Sequence, residues 1–325
     1  MLNYIRLIRL PNLLMIPLTM YLLRYGIVEP ALEYGYSFSL NTTVELQFPD
    51  NLFLIVVFIN VFLGAAGYAI NDYFDRRIDA INRPNKVIIG KKIHRRTAII
   101  LHSTLNGIAL VLAAYLSWKL RKPIILLVYA MLSGIFWLYS TTYKKQLLIG
   151  NVIVAFLTAL VPLQVAYFDI LALNESYSHE LIFNGIDFKV LLYWILAFAA
   201  FAFVTNLVRE FVKDIEDFEG DKNYDRYTLP IAIGVKLTKA IIVFFIVAII
   251  TAIALLYFNF LADPLSKWYL LFTLIIPLLL SIYLVLMAKS VKNYHSISIL
   301  FKIIMLMGVL YAIVARYVMI FNFPV

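Results

Sequence analysis

The sequence contains no cysteine. Disulfides, thiolate zinc sites, iron–sulfur ligation and cysteine nucleophiles are thereby excluded, while the redox compartment is left open. Charge is scarce as well: only 14% of the 325 residues are Asp, Glu, Lys or Arg, against 63% hydrophobic. That balance is far too apolar for an ordinary soluble domain and reads as a polytopic membrane protein. No cleavable leader is expected, because the apolar run after Arg9 continues long enough to span a bilayer. The net charge of +9 does not point to nucleic acid. The basic residues lie in loops between apolar runs, where the positive-inside bias and anionic lipid headgroups account for them.

The apolar runs predict an all-α bundle of about nine transmembrane helices, forming a single domain over residues 1–325. The first span runs from about Leu10 to Tyr25 and the second from about Leu52 to Ile70. The others cover 97–118, 122–139, 149–168, 189–208, 238–260, 267–288 and 298–320. Each suffices for a hydrocarbon core of about 30 Å. Residues 26–50 carry Glu29, Glu33, Glu45 and Asp50 without Lys or Arg and read as an outer loop. Most of the 28 Lys and Arg fall in the N-terminal lead and the loops after even-numbered spans. The N-terminus is therefore expected in the cytoplasm of a bacterial cell, at the inner membrane, with Val325 on the other side. Glycosylation sequons at Asn41 and Asn174 are given no function.

Two polar stretches interrupt this pattern. In the first, residues 71–96, continuation of the preceding helix sets Asn71, Asp75 and Asp79 at i, i+4 and i+8 on one face, with Asp72 about 100° round. Carboxylates at that spacing repel by roughly 3 kcal/mol at an effective dielectric near 20. Arg76 and Arg77 on a solvated helix end would compensate, and so would a divalent cation. Oxygen ligands without Cys or His favour Mg²⁺, which is commonly held by one or two carboxylates together with substrate phosphates. In the second stretch, residues 209–234, Asp217 and Asp221 repeat the spacing, Asp214 lies on the same stripe, and Glu210, Glu216 and Glu219 add charge. Four predicted crossings separate the two stretches, so both emerge on the cytoplasmic face. A third polar segment, Tyr139 to Asn151, faces the same side. Its plain reading is membrane-end punctuation, with Lys144 and Lys145 snorkelling and Tyr139 and Tyr143 in an interfacial belt.

Two carboxylate clusters with interspersed cations suit a diphosphate bridged by Mg²⁺, since metal ions invert the local electrostatics and stabilise charge on a departing group. An apolar bundle beneath would accept a hydrocarbon tail. The combined demand is an allylic diphosphate that ionises and leaves a carbocation for an acceptor.

Asn71-xxx-Asp75-xxx-Asp79 followed by Asn82-Arg83-Pro84, Tyr139-Ser140 with Lys144 and Gly150-Asn151, and Asp217-xxx-Asp221 followed by Thr228-Leu229-Pro230 together resemble the UbiA superfamily of intramembrane prenyltransferases over nearly the whole chain. The resemblance implies Mg²⁺-dependent transfer of a prenyl group from a prenyl diphosphate, at two Asp-rich motifs on the cytoplasmic mouth of a central cavity. It implies metal and diphosphate binding by Asn71, Asp75, Asp79, Asp217 and Asp221, diphosphate contacts from Lys144, Arg209 and Lys213, Tyr139 lining the reacting site, and supporting roles for Asp72 and Asp214. Arg9 and Asn12 either face that cavity or anchor the interface. The run Asn85 to Gly90 is less basic than the family pattern, which bears on Lys86. The form KDIEDFEGD resembles the geranylgeranylglyceryl phosphate geranylgeranyltransferase-like branch more than the 4-hydroxybenzoate branch. The acceptor is accordingly a lipid phosphate, or alternatively an aromatic quinone precursor such as 4-hydroxybenzoate or dihydroxynaphthoate, with membrane lipids as surroundings. An ion-coupled transporter is the rival class, but its broken helix pairs and mid-span charges are missing from most of the spans.

Overall fold

The computed structural model describes residues 2–37, 43–82, 87–178, 187–224 and 226–322. Among these the regular structure is helical, apart from an isolated bridge between Ile89 and Ile93. Eight helices among the described residues are long and apolar enough to cross a membrane. They are α1 (Asp50–Asn82), α2 (Arg95–Lys119), α3 (Ile124–Thr141), α4 (Ile149–Ser176), α5 (Lys189–Glu216), α6 (Leu229–Leu256, continued by a π turn at Tyr257–Leu261), α7 (Pro264–Met287) and α8 (Val291–Asn322).

These correspond one for one to the second through ninth expected spans, but α1 and α5 run well beyond the apolar residues that announce them. The first extension carries Asp, Asn and Arg and the second Arg, Glu, Lys and Asp, with apolar residues between, and a helix can leave the hydrocarbon in this way because its backbone stays internally paired. The extension of α1 past Ile70 to Asn82 is the one that the spacing of Asn71, Asp75 and Asp79 requires. The following residues Arg83, Pro84, Asn85 and Lys86 lie outside the described residues, as do Asn41 and Val325.

The first expected span is helical but broken. It consists of Leu10–Leu13, Met15–Leu23 and π turns at Arg24–Val28 and Ala31–Tyr36, after a short helix Leu2–Leu7. Arg9, at a left-handed φ of 52°, separates the helix Leu2–Leu7 from Leu10–Leu13. The outer loop expected to start at residue 26 is therefore helical as far as Tyr36. The cause lies in side chains: Ile27, Val28 and Leu32 are fully buried, and the acid that suggested a loop, Glu29, is paired with Arg316.

The chain divides into two compact units. The first comprises residues 1–18, 50–153 and 217–232. Here α1 packs most extensively against α2, and both pack against α3. Gly67 admits the Phe136 ring, which a Cβ would meet at 2.6 Å. His102 of α2 bonds the Ala66 carbonyl of α1 (3.0 Å), while Ser133 of α3 donates to Asn106 of α2 (2.7 Å). Leu7 packs with Ile89, Ile93 and Ala98 and fastens the N-terminal helix to the segment after α1.

The second unit comprises residues 19–49, 154–216 and 233–325. Its principal contact is α5 against α8, where Gly308 lets the Phe201 ring lie on the helix backbone. Arg24, fully buried, pairs with Asp169 at 3.3 Å and donates to the Phe48 carbonyl. Such a pair must be matched internally, since an uncompensated buried charge costs several kcal/mol. In α6 the helix is interrupted at Gly234 (φ 82°), a conformation that glycine adopts at little cost.

Candidate active site

The charged end of α1 supplies one wall of a polar cluster within the first unit. Asp75 is 8% exposed, and its Oδ1 accepts from Lys144 Nζ at 2.6 Å and from the Arg226 guanidinium. Lys144 Nζ also lies 3.4 Å from Asn71 Oδ1. Asp72, a third of a turn round the helix, is served by a different cation: Arg9 donates to it at 2.7 Å while stacking over Tyr68. The separation expected from helix geometry is thus realised, with Arg9 tied to the acid that faces away from Lys144. Asp79 is near enough to both Arg9 and Lys144 to favour their charged forms.

The second acidic stretch is not a simple continuation of α5. The helix breaks at Asp217 (φ −96°, ψ 7°), and a short helix, Phe218–Asn223, follows. Asp214 thus belongs to α5 in the second unit, whereas Asp217 and Asp221 belong to the first. Their i, i+4 relation survives the break, with the Asp221 N–H donating to the Asp217 carbonyl at 3.0 Å. Asp221 is 2% exposed, and burial pushes its carboxyl up to about 6, with Arg226 opposing the shift and Asp217 and Asp75 adding to it.

Arg226 links the two stretches, and the sequence reading passed over it. Its guanidinium bonds Asp75 and lies 3.3 Å from Asp221 Oδ1, and its own N–H donates to the Asp221 carbonyl at 3.1 Å. Burial works against its charge, but Asp75 and Asp221 outweigh that and raise its pKa, with a smaller contribution from Tyr139. The available sequence signal was its place between the second acidic motif and Thr228-Leu229-Pro230.

Lys144 comes from the connection between α3 and α4. Residues Tyr143–Lys145 form one 3₁₀ turn, and Gly150 fits against it so closely that a Cβ would sit 2.8 Å from the Lys144 Cα. The Tyr227 N–H donates to the Lys145 carbonyl at 3.0 Å. The turn is fixed from two sides, and the Lys144 side chain, 6% exposed, points onto Asp75 rather than snorkelling. Burial lowers its pKa, Asp75 pulls the other way and Arg226 adds to the lowering.

Arg209 and Lys213 lie in the second unit. Both donate to the buried carboxylate of Glu210, at 2.8 and 2.7 Å, and Arg209 also reaches Asn206 at 3.4 Å. Of the expected site residues, Asn71, Asp72, Asp75, Asp79, Tyr139, Lys144, Asp217 and Asp221 thus share one unit, while Arg209, Lys213 and Asp214 share the other.

Among the described residues, no three His, Cys, Asp or Glu side chains form a ready metal cage. The donor chemistry nevertheless suits Mg²⁺. Asp75 and Asp79 with Asn71, and Asp217 with Asp221, offer hard oxygens in groups of one or two carboxylates, the number Mg²⁺ takes when phosphate oxygens complete its shell. The raised carboxyl of Asp221 marks buried negative charge that a cation would relieve.

The UbiA prenyltransferase family model matches residues 36–317. The digeranylgeranylglyceryl phosphate synthase of Methanosphaera stadtmanae is 34% identical over 253 residues, covering 75% of this chain and 80% of that protein. A solved structure of a digeranylgeranylglyceryl phosphate synthase superposes with a TM-score of 0.56 at 26% identity, over 97% of each chain. A UbiA homologue from Archaeoglobus fulgidus, solved with GPP and Mg²⁺, shares the fold at a TM-score of 0.51 and 15% identity, covering 96% of this chain and 99% of that one. With eight membrane-length helices among the described residues and a family match over most of its length, the chain is an integral membrane prenyltransferase and belongs to the UbiA prenyltransferase family.

Proposed function

We propose that this prenyltransferase transfers a polyprenyl group from an allylic prenyl diphosphate to a glyceryl phosphate lipid, with release of diphosphate, and that residues 1–325 act as one catalytic domain. The observation that carries the reading is the meeting of both acidic stretches on Arg226 and Asp75, beside Lys144. The acceptor assignment is supported by the name shared by relatives such as that of Methanosphaera stadtmanae and by the KDIEDFEGD sequence.

On this reading Asn71, Asp75, Asp79, Asp217 and Asp221 hold Mg²⁺, which, when bound, neutralises the diphosphate and stabilises the charge that gathers on it as it leaves. Lys144 and Arg226 contact the diphosphate oxygens, and Arg209 and Lys213 are assigned to the same anion by family resemblance. Tyr139 lines the reacting site, Asp72 holds Arg9, and Asp214 supports the end of α5. The allylic C–O bond breaks with its electron pair passing to the diphosphate oxygen. The acceptor hydroxyl oxygen then bonds the cationic carbon, and its proton passes to the released diphosphate.

Purified protein supplied with geranylgeranyl diphosphate and geranylgeranylglyceryl phosphate should form the doubly prenylated lipid and one equivalent of diphosphate, and EDTA should abolish both. Product formed only from 4-hydroxybenzoate or dihydroxynaphthoate would replace the lipid acceptor by an aromatic one.

We further propose a location in the cytoplasmic membrane, with the N-terminus and both acidic stretches facing the cytoplasm, from the distribution of Lys and Arg. The synthase relatives are archaeal, and they lend no support to the bacterial cell expected from the sequence. The chain has no cysteine and Asn223 is exposed, so Asn223→Cys offers a single label site. An impermeant thiol reagent should leave it unlabelled in intact cells and label it after lysis. Labelling from outside would reverse the topology.

A further inference from the structure

Asn82, the last residue of α1, uses both ends of its side-chain amide on the second acidic stretch. Its Nδ2 donates to the Asp217 carbonyl at 3.3 Å, and its Oδ1 accepts from the Gly220 N–H at 2.9 Å. The two bonds together orient the amide. Gly220 lies so near that a Cβ at that position would collide with the Asn82 amide, so the contact requires glycine on one side and a short amide on the other.

The position of Gly220 gives the contact its meaning. In the helix Phe218–Asn223, Asp217 is the residue at the N-cap, and Gly220 is the third residue beyond it. An aspartate at an N-cap ordinarily accepts a hydrogen bond from the N–H two or three residues on, and is among the best residues for doing so. Asp217 makes no such bond. The oxygen that satisfies the Gly220 N–H comes from Asn82 instead. Asn82 also stands three residues after Asp79 and seven after Asp75, on the helix face that carries both. The short helix is therefore attached to α1 at two levels of one stripe, by Asn82 at its start and by Arg226 between Asp221 and Asp75 farther along.

We propose that Asn82 is a positioning residue: it caps the second acidic helix from α1, fixing the two motifs in register and turning the Asp217 carboxylate from capping to cation binding. The inference rests on the metal role proposed above for Asp217. Removing Asn82 should return Asp217 to its own helix end, where an N-cap aspartate ordinarily takes up that N–H, and weaken the metal site.

The test is Mn²⁺ binding, followed through the EPR signal of the free ion, to the full chain in detergent with inorganic diphosphate. Melting temperature is recorded alongside. Asn82→Ala should weaken Mn²⁺ about tenfold or more, and Gly220→Ala should do likewise by forcing the amide aside. The double variant should be less impaired than the sum of the two, because the added methyl then has room. If Asn82 only stabilises the fold, the variants will melt earlier while the folded protein keeps its wild-type Mn²⁺ affinity, and the inference is overturned. Should Asn82→Ala not yield folded protein, Gly220→Ala decides by the same criterion. A wild-type chain that binds no Mn²⁺ under these conditions overturns the metal reading and this inference with it, whereas tight wild-type binding unaltered in the variants overturns this inference alone.

Discussion

Asp75→Asn is expected to lower prenyl transfer by about 100- to 1,000-fold, the usual scale for losing one charged element of a site that stabilises a leaving anion. Asp75→Ala should be as inactive and less stable. From sequence alone Asp75 belongs to a row of repelling acids, and its removal would relieve strain in the metal-free protein. The structure reverses that expectation, because Lys144 and Arg226 both donate to Asp75 from largely buried positions. Truncating the shared partner leaves two buried cations undercompensated, a change that costs about 3–5 kcal/mol in comparable cases. The asparagine retains an acceptor oxygen and the shape, so comparison of the two variants separates charge from packing. Turnover and thermal unfolding in detergent measure the two effects. Wild-type turnover in Asp75→Asn would remove the metal assignment, and an Asp75→Ala protein that melts no earlier than wild type would show that the pairs contribute no stability.

A donor with fluorine near the allylic centre should react at least about 100-fold more slowly than the natural one, a barrier increase of ~2.7 kcal/mol, while binding almost as well. Fluorine destabilises an adjacent carbocation, so a large effect requires that the C–O bond be mostly broken before the acceptor bonds. On the proposed reading, cations are set around the leaving group and favour this order. Lys144 is held on Asp75 by a turn that Gly150 and Tyr227 fix from either side, and Arg226 is set between Asp75 and Asp221. Neither side chain needs to be recruited when charge develops, which is the condition under which electrostatic stabilisation is most effective. Rapid mixing, with single-turnover and steady-state rates compared, establishes whether chemistry limits turnover. A fluorinated donor that reacts at the normal rate when chemistry is limiting would replace ionisation by concerted displacement.

The apolar runs made eight of the helices legible because a membrane span is a composition signal, insensitive to how helices pack. Helix periodicity likewise sufficed to place Asn71, Asp75 and Asp79 on one face of α1 and Asp72 on another. The first span was less legible: Glu29 looked like a loop residue because its partner, Arg316, is distant in sequence. Asp214, Asp217 and Asp221 looked like one stripe because nothing local announces the break at Asp217. That break is stabilised by Asn82, more than 130 residues away in sequence. Arg226 was missed for the same reason, since a cation's role depends on which acids it meets and the acid that matters, Asp75, lies on another helix.

On the proposed reading, the length of α1 sets the depth at which this chemistry takes place. Between Asp50 and Asp72 the helix carries no charged side chain, and at 1.5 Å per residue that interval is about 32 Å, close to the thickness of the hydrocarbon core. The helix then runs on for 10 more residues, through Asp75 and Asp79 to Asn82. A helix of that length would stand on one surface of a bilayer as a measuring rod and project past the other. A substrate threaded along it would keep its hydrocarbon tail beside the uncharged interval and its diphosphate at the level of the phospholipid headgroups. The leaving anion would then depart toward water without its charge ever crossing oil.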